Sequence, residues 1–241
     1  MKEYNTTQLN PETAFEKHVF HRDQFAHYLR WSHVLNLAKI GQKIMDFGCG
    51  SGNLYEVFYR NRYQPNKFLG LDVRQKTIEK NREKFKNARW ETEDLAKFTT
   101  DYGKDWDIIT SFEVLEHVNK KNGDSFMQNI KRHCNENTVV LISTPCYNEK
   151  VGAADNHIYD GQVQEYTYDE AKALFEKYFT VEKVWGTFAS QRDYKPFLSD
   201  AGKKLYEKLS EYYDTNLISV IFAPLFPQQS RNCLWQLKIK I

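Results

Sequence analysis

Residues 43–53 read KIMDFGCGSGN, and this stretch decides the fold. Its first part, IMDF at 44–47, is a short apolar run of the kind that forms a fully buried parallel strand, and it carries one acid, Asp46. Residues 53–59 then predict the start of a helix. Between strand and helix stand three glycines, which allow a tight turn and the close approach of a ligand to the backbone: Gly48, Gly50 and Gly52. Strand, glycine turn and helix together predict the nucleotide-binding opening of a doubly wound sheet.

The spacing of these glycines narrows the choice of ligand. Residues 48–52 follow G-x-G-x-G rather than the G-x-G-x-x-G fingerprint of dinucleotide-binding proteins. Asp46 precedes the first glycine by two residues, where a buried acid would repel a pyrophosphate but would suit a cationic amine. The stretch therefore favours a nucleotide-like ligand that carries an amine, and it argues against a dinucleotide-binding oxidoreductase.

The composition fits a single domain over residues 1–241. With 241 residues and 41% hydrophobic content, the chain can bury a substantial core. Its net charge is +2, from 34 basic and 32 acidic residues, so we expect no extended nucleic-acid track. The four cysteines are scattered without a C-x-x-C pair, which is typical of a reducing compartment. No apolar run approaches membrane-spanning length and residues 1–17 lack the apolar core of a signal peptide, so we expect a cytoplasmic protein without a membrane partner.

Two further runs lead into acids that can reach the same ligand. Residues 67–73, KFLGLDV, predict a second buried strand that ends in Asp72, 22 residues after Gly50. In a strand–helix–strand unit, an acid at that distance reaches ribose hydroxyls through two charge-assisted hydrogen bonds. A helix cap is the alternative role for Asp72. Residues 88–95 predict a third strand that leads into Glu93, Asp94 and Leu95.

Residues 105–118, DWDIITSFEVLEHV, are the second strong signal. The apolar run at 106–111 predicts the central fourth strand, with Phe112 and Glu113 at its carboxyl end. Ligands of open α/β sheets bind at that end. Three more strands are predicted, the last of them antiparallel: 137–145, 180–188 and 231–241. The predicted fold is therefore an α/β, Rossmann-like, doubly wound sheet of seven strands with an antiparallel last strand and helices on both faces.

Two of these segments resemble known motifs. DFGCGSGN, at 46–53, resembles motif I of the class I S-adenosylmethionine-dependent methyltransferases. FEVLEH, at 112–117, is similar to motif IV of the subgroup that carries the VLEH sequence, the type 11 enzymes that include ubiquinone-biosynthesis O-methyltransferases. The resemblance implies a methyltransferase whose cofactor is S-adenosyl-L-methionine. It implies this set of cofactor-binding residues: Asp46, Gly48, Cys49, Gly50, Gly52, Asp72, Val73, Asp94, Leu95, Phe112 and Glu113.

The same resemblance implies a role for several of these residues. Asp72 would hold the ribose hydroxyls. Asp94 would accept a hydrogen bond from the adenine amine, while the backbone N–H of Leu95 would meet a ring nitrogen. Glu93 is the alternative acid at this point, because a strand register read from one sequence can slip. The sulfonium region would be lined by Phe112 and Glu113.

Two histidines are the candidate catalytic residues, His117 and His157. Imidazole titrates near working pH and can take the proton of a hydroxyl acceptor. The histidines therefore favour transfer to an oxygen of a small molecule, and a nitrogen acceptor is the alternative. In either case we expect the methyl group to move by in-line displacement. A protein that binds the cofactor without catalysing transfer is the other function that these motifs leave open.

A metal site is an alternative interpretation of the same region. On a helical turn, residues at i, i+3 and i+4 share a face, so Glu113, Glu116 and His117, with His157 added, would suit Mg²⁺ or Mn²⁺. The small-RNA 3′-terminal 2′-O-methyltransferases resemble this pattern. Metal-independent relatives carry the same E-x-x-E-H sequence, so we expect no metal.

Three segments outside the strands are predicted to form the substrate side. Residues 1–42 are expected to be an N-terminal helical cover. The connections 146–166 and 189–230 are both longer than usual for such a domain. Because both leave the carboxyl edge of the parallel strands, we expect them to form a substrate cap. A homodimer interface is the alternative role for 189–230, since exposed apolar surface often marks one.

Overall fold

The computed structural model describes residues 22–38, 41–148, 158–159 and 162–240. Its α-helices are, in chain order, Arg22–Leu37 (α1), Asn53–Arg60 (α2), Gln75–Lys84 (α3), Gly123–Lys131 (α4), Tyr168–Tyr178 (α5), Gln191–Tyr194 (α6), Asp200–Ser210 (α7) and Thr215–Phe222 (α8). The strands are Lys43–Phe47 (β1), Lys67–Asp72 (β2), Arg89–Thr92 (β3), Ile108–Phe112 (β4), Val139–Pro145 (β5), Ile158–Tyr159 (β6), Gln162–Val163 (β7), Phe179–Phe188 (β8) and Asn232–Ile239 (β9). Short 3₁₀ helices lie at Leu115–His117, Lys120–Asn122, Lys195–Phe197, Ala223–Leu225 and Pro227–Gln229.

Seven of the strands form one mixed sheet in the order β3-β2-β1-β4-β5-β9-β8, while β6 pairs with β7. Strands β1 to β5 are parallel, and the last strands are antiparallel. The predicted Rossmann-like sheet with an antiparallel last strand is therefore confirmed. Strand β1 lies between β2 and β4, with Asp46 opposite Gly70 on one side and Thr110 on the other. The carboxyl ends of these three neighbouring strands meet at the point where strand order reverses, which is where such folds bind ligands.

Strands β4 and β3 are among those that are shorter than the sequence predicts. Strand β4 begins at Ile108 because both the backbone and the side chain of Asp107 form hydrogen bonds with Lys43 at the start of β1. The backbone N–H of Asp107 donates to the Lys43 carbonyl at 2.9 Å, and its Oδ2 accepts from the Lys43 N–H at 2.8 Å. Strand β3 covers only Arg89–Thr92, so Asp94 lies in the loop that follows. That loop position gives the carboxylate freedom to face a ligand.

Aromatic rings fill the space beside β2 and β3. Trp90 is buried, and the centroid of its ring lies 5.4 to 5.7 Å from those of Phe68, Tyr55 and Phe85. Strand β2 contributes Gly70 at this point, where an added Cβ would lie 2.4 Å from Cε3 of Trp90. A glycine in the middle of a strand is thus explained by the indole ring that packs on its backbone.

A second group of rings encloses His133. The imidazole stacks on Phe98 with centroids 5.7 Å apart, and Phe47 meets it edge-on. Its Nδ1 lies 2.7 Å from the carbonyl oxygen of Asn129, and its Nε2 accepts the N–H of Tyr102 at 3.3 Å. Because a carbonyl only accepts, Nδ1 must carry the hydrogen. Burial is the main cause of the lowered pKa of this histidine, which is neutral and structural.

The described chain forms two compact units. The larger unit consists of 34–183 and 234–240 and holds most of the sheet. The smaller unit consists of 22–33 and 184–233. The segment 189–230 belongs to the smaller unit and has a buried apolar cluster of its own: Ala189, Tyr194, Leu198, Ile218, Phe222 and Ala223.

Helices α6 and α8 of the smaller unit pack together through stacked aromatic rings. Tyr194 stacks nearly parallel on Phe222 at 5.7 Å and on Phe226 at 6.0 Å. Helix α8 ends at Phe222, because Pro224 lies in the 3₁₀ turn that follows. No helix in the described part of the chain has the length and apolar character needed to cross a membrane.

Candidate functional site

The glycine turn after β1 is tied to β2 by its backbone. The N–H groups of Gly48 and Cys49 both donate to the carbonyl oxygen of Leu71, at 2.7 and 2.9 Å. Gly48 has φ of +81°, a conformation that favours glycine. A Cβ at this residue would lie 2.2 Å from Cγ2 of Val114. The turn therefore needs glycine at its first position both for its conformation and for the contact with Val114.

Asp46 lies buried at the end of β1. The hydroxyl of Thr110 donates a 2.7 Å hydrogen bond to its Oδ1. Burial, reinforced by the nearby negative charge of Asp72, raises the pKa of Asp46 to about 7 against the lowering effect of the Thr110 hydrogen bond. Such a carboxyl group gains from a neighbouring cation more than an exposed acid does, because it is poorly solvated.

Asp72 faces the glycine turn from the end of β2. Its Oδ2 accepts the N–H of Gly50 at 3.0 Å, which brings together the two residues that the sequence spacing had paired. Its Oδ1 accepts the N–H of Arg74 at 2.9 Å, and the guanidinium group of Arg74 contacts both carboxylate oxygens. Burial opposes ionisation, but the hydrogen bonds and charge of Arg74 outweigh it and hold the pKa of Asp72 below its usual value. Asp72 is therefore an ionised acceptor at neutral pH.

The chain leaves β4 through a strained residue. Glu113 has φ of +56°, in the left-handed region that residues other than glycine seldom adopt. Two contacts with Ser143 on β5 hold it there. The Glu113 N–H donates to the Ser143 carbonyl at 3.0 Å, and the Ser143 hydroxyl donates to Oε1 of Glu113 at 2.7 Å. Strain of this kind concentrates at functional sites, and here it sends Val114 onto the glycine turn.

Two adjoining pockets open at these strand ends. The first, of about 290 Å³, is lined by Gly48, Asp72, Val73, Arg74, Leu95, Glu113, Val114 and His117. The second, of about 460 Å³, is lined by Val73, Asp94, Leu95, Ala96, Lys97, Val114, His117, Val118, Asn119 and Asn122. Four residues line both, so the pockets are continuous: Val73, Leu95, Val114 and His117. Their walls bring Asp72 and Asp94 to one concave surface.

Glu93 and Asp94, the two acids considered for the contact with adenine, have different surroundings. Glu93 accepts hydrogen bonds from the hydroxyls of Thr100 and Tyr102, each at 2.7 Å. Asp94 lines the larger pocket, where its Oδ1 accepts the N–H of Ala96 at 3.1 Å and its Oδ2 lies 3.2 Å from Lys97. Asp94 is therefore the acid available to a ligand.

The remaining sequence-predicted residues lie at varied depths. Cys49 and Gly52 are buried in the turn, and an added Cβ at Gly52 would lie 2.9 Å from the rings of Phe85 and Trp90. Phe112 is half-buried at the end of β4. His117 is exposed on the wall of both pockets, whereas His157 lies outside the described residues.

The shared face expected of Glu113, Glu116 and His117 is not present. The segment after β4 is a 3₁₀ helix over Leu115–His117, rather than a continuous α-helical turn that includes Glu113. Glu116 is buried and accepts a hydrogen bond from Thr144 at 3.2 Å, while His117 is exposed. Within residues 22–38, 41–148, 158–159 and 162–240, no cluster of three or more His, Cys, Asp or Glu side chains is arranged to hold a metal ion.

Sequence reasoning missed several residues of the pocket walls. Arg74 follows Asp72 by two residues, and that short spacing was the available signal for a contact between the two. Val114 carried no such signal, because its role depends on the backbone of Glu113. Three polar residues of the larger pocket were also missed: Lys97, Asn119 and Asn122.

The chain resembles known proteins in both sequence and structure. The sequence model of one family, described as a methyltransferase domain, matches residues 20–207. A TehB-like SAM-dependent methyltransferase from Corynebacterium glutamicum is similar in structure, with 18% identity, a TM-score of 0.59 and coverage of 88% of this chain and 87% of that one. YcgJ from Bacillus subtilis shares 16% identity, with a TM-score of 0.55 over 89% of this chain and 100% of the other.

A third similar structure was solved with ligands. It is the geranyl diphosphate C-methyltransferase from Streptomyces coelicolor in complex with Mg²⁺, geranyl diphosphate and S-adenosyl-L-homocysteine. Its identity to this chain is 11% and the TM-score is 0.58, over 89% of this chain and 79% of that one. No curated protein matches the chain in sequence. At these identities the solved structures establish the fold alone.

Proposed function

Because the chain belongs to the methyltransferase-domain family, we propose that it transfers a methyl group to an oxygen or a nitrogen of a small molecule. S-adenosyl-L-methionine is the cofactor, as the first motif predicted. The acceptor, its size and the residues that act on it belong to the proposal. The observation that carries it is the meeting of Asp72, Asp94 and the glycine turn around two continuous pockets.

The donors and acceptors present fit this cofactor. It supplies a methyl group on a cationic sulfonium. Asp72 is an ionised acceptor suited to ribose hydroxyls, and Asp94 is an acceptor suited to the adenine amine. Asp46 is a buried acid of raised pKa, suited to the nearby positive charge of an amine. Polar groups for the sugar, the base and the amine are therefore all present at one sheet edge.

The chain's contribution to transfer is alignment and removal of water. Charge diminishes in the transition state of methyl transfer, so the protein gains most by holding the reactants in line in a dry site. A hydroxyl acceptor must also lose a proton. His117 lines both pockets and is a candidate to take it. His157 is proposed for the same task from sequence alone.

Other features of the proposal rest on the sequence. We propose that 146–166 and 189–230 form a substrate cap over the acceptor, with 1–42 as a helical cover. A homodimer through 189–230 is the alternative role for that segment. Membership of the VLEH subgroup and a cytoplasmic location are likewise proposed, the latter because all four cysteines are buried thiols: Cys49, Cys134, Cys146 and Cys233.

The decisive experiment measures cofactor binding and turnover together. Calorimetric titration with S-adenosylhomocysteine is expected to show binding to the wild type and a loss of at least about tenfold in affinity for Asp72→Asn, because the charge-assisted hydrogen bonds are lost. Asp105→Asn is the matched control, since Asp105 is an exposed acid paired with Lys43 and Lys67. Formation of S-adenosylhomocysteine from S-adenosylmethionine is then assayed against a panel of small hydroxyl and amine acceptors. Absence of binding by the wild type would reject the proposal, and binding without turnover on any acceptor would favour a non-catalytic cofactor-binding protein.

Transfer to a hydroxyl would give His117 a measurable role. A general base contributes roughly 10²- to 10⁴-fold, so His117→Ala is expected to lower kcat by about 100-fold with S-adenosylhomocysteine affinity little changed. An unchanged kcat would show that His117 only lines the pocket.

A further inference from the structure

The carboxylate that the proposed function assigns to the ribose is already engaged by a side chain of this protein. Asp72 accepts from Nε of Arg74 at 3.0 Å through Oδ1 and from Nη2 of Arg74 at 3.2 Å through Oδ2. We propose that Arg74 is an internal competitor of the cofactor ribose, and that this competition sets the affinity for S-adenosylmethionine. The inference rests on the proposed role of Asp72.

The position of the guanidinium group supports competition. The Asp72 side chain is 7% exposed whereas that of Arg74 is 62% exposed, so the guanidinium lies on the solvent side of the carboxylate. Arg74 also lines the 290 Å³ pocket with Asp72. An added Cβ on Gly50 would lie 3.3 Å from Nη2 of Arg74, so the guanidinium also lies against the glycine turn. A ligand that enters this pocket therefore meets Arg74 at the carboxylate.

The hydrogen bonds that Asp72 already accepts also support competition between Arg74 and the ribose. An ionised carboxylate has about four lone-pair sites. Asp72 uses all four, two for the backbone N–H groups of Gly50 and Arg74 and two for the guanidinium of Arg74. A ribose diol that donates two hydrogen bonds needs the two sites that face the pocket. The backbone contacts can remain while the guanidinium contacts must break.

Space is available for the Arg74 side chain when it leaves Asp72. A neighbouring pocket of about 590 Å³ is lined by Arg74 itself and by the first turn of α3: Gln75, Lys76, Thr77 and Glu79. Arg74 is the residue this pocket shares with the 290 Å³ one. Rotation about its side-chain bonds would carry the guanidinium from one pocket to the other, where Glu79 supplies a negative charge to the wall.

The test compares cofactor affinity with and without the guanidinium. Arg74→Met keeps the aliphatic stem, and it is expected to bind S-adenosylhomocysteine about two- to fivefold more tightly than the wild type, which is the range for an ion pair with one exposed partner. Arg74→Lys should bind with intermediate affinity, because an ammonium group cannot make the bidentate contact. Arg60→Met is the control, since Arg60 makes an exposed contact with Glu56 through Nε and Nη2 away from the pockets.

The salt dependence of binding provides a second readout of the same competition. Raising the ionic strength screens the exposed guanidinium, so wild-type affinity should increase with salt while that of Arg74→Met stays constant. Equal or weaker binding by Arg74→Met, or the same salt response in both proteins, would overturn the competition and show that Arg74 supports the site. Failure of the wild type to bind S-adenosylhomocysteine at all would instead reject the proposed function, and this inference with it. If Arg74→Met does not fold, the lysine variant and the salt titration decide the matter.

Discussion

The hydroxyl of Thr110 on β4 donates a 2.7 Å hydrogen bond to Oδ1 of Asp46 on β1, directly across the pair of strands. This contact is the main hydrogen bond that favours the ionised form of Asp46, and burial outweighs it, which raises the pKa to about 7. The carboxyl group is therefore close to half ionised at neutral pH. A fold does not need such a group, and its presence at the strand end supports the proposal that the bound ligand carries a positive charge.

Asp46→Asn is expected to stabilise the protein, and more so at high pH. The folded-state pKa of about 7 lies above the ordinary value of 3.8, so the folded state binds more protons between those values and its stability falls as pH rises through that window. Asparagine does not ionise, so the variant does not lose stability in this way as pH rises. The gain in the free energy of unfolding should be roughly 1–3 kcal/mol larger at pH 8 than at pH 5. Urea unfolding at both pH values measures it, and an equal gain at both would contradict the raised pKa. The same variant should bind S-adenosylhomocysteine more weakly, because the charge that attracts the amine is lost.

Gly48→Ala should destabilise the glycine turn by about 2–4 kcal/mol, from the left-handed backbone and from the contact with Val114. The double variant with Val114→Ala should recover the packing part but not the backbone part. Gly103→Ala is a matched control, because Gly103 has the same φ of +81° and an added Cβ there would lie 3.3 Å from the side chain of Asp105. Thermal unfolding of the three variants separates the two costs. Equal losses in the single and double variants would show that Val114 yields freely.

His133 should make the protein sensitive to acid. Its folded-state pKa is lowered by burial below the ordinary value of 6.5, so its contribution to stability is complete above pH 6.5 and is lost as pH falls below that value. His133→Asn leaves a donor for the Asn129 carbonyl but loses the ring, and it should cost about 1–3 kcal/mol at pH 7. The variant should also lose less stability than the wild type between pH 7 and pH 5. A parallel decline of both proteins in urea unfolding would show that other groups cause the acid sensitivity.

Thr167 should contribute about 1 kcal/mol to the start of α5. Its hydroxyl accepts the N–H of Glu170 at 3.1 Å, and Oε2 of Glu170 accepts the N–H of Thr167 at 2.9 Å. Thr167→Ala removes one of these two contacts, whereas Thr167→Ser retains both. The serine variant should therefore unfold at nearly the wild-type temperature and the alanine variant a few degrees lower. A loss of the same size in both would place the effect in the methyl group rather than in the cap.

The sheet was predictable because each buried strand is a short apolar run that ends in an acid or a turn. Asp46 and Asp72 could be placed at neighbouring strand ends from spacing alone, since the connection between parallel strands has few solutions. The choice between Glu93 and Asp94 could not be made in the same way. It depends on hydroxyls of Thr100 and Tyr102 that occupy Glu93 from a later part of the chain.

Several of the features that were not predicted depend on contacts between distant residues. The left-handed backbone of Glu113 is held by Ser143. Without that contact, a helical turn with Glu113, Glu116 and His117 on one face was an alternative interpretation of the sequence. The internal packing of 189–230 was not predicted, because the stacking of Tyr194 on Phe222 joins residues that are far apart in the chain. Contacts between such distant residues leave no periodic pattern in the sequence from which they could be predicted.

The order of strands in the sheet also determines when, during synthesis, the pairing of the sheet can be completed. Strand β9 lies between β5 and β8, yet it is made after both of them. On the ribosome one edge of β5 therefore stays unpaired until more than eighty further residues, from 146 to 231, have been synthesised, which takes roughly 4–17 s at about 5–20 residues per second. During that time the edge is open to the strands of neighbouring nascent chains. A translation pause after β8 would lengthen this exposure, so the speed of synthesis through the smaller unit bears directly on the yield of folded protein.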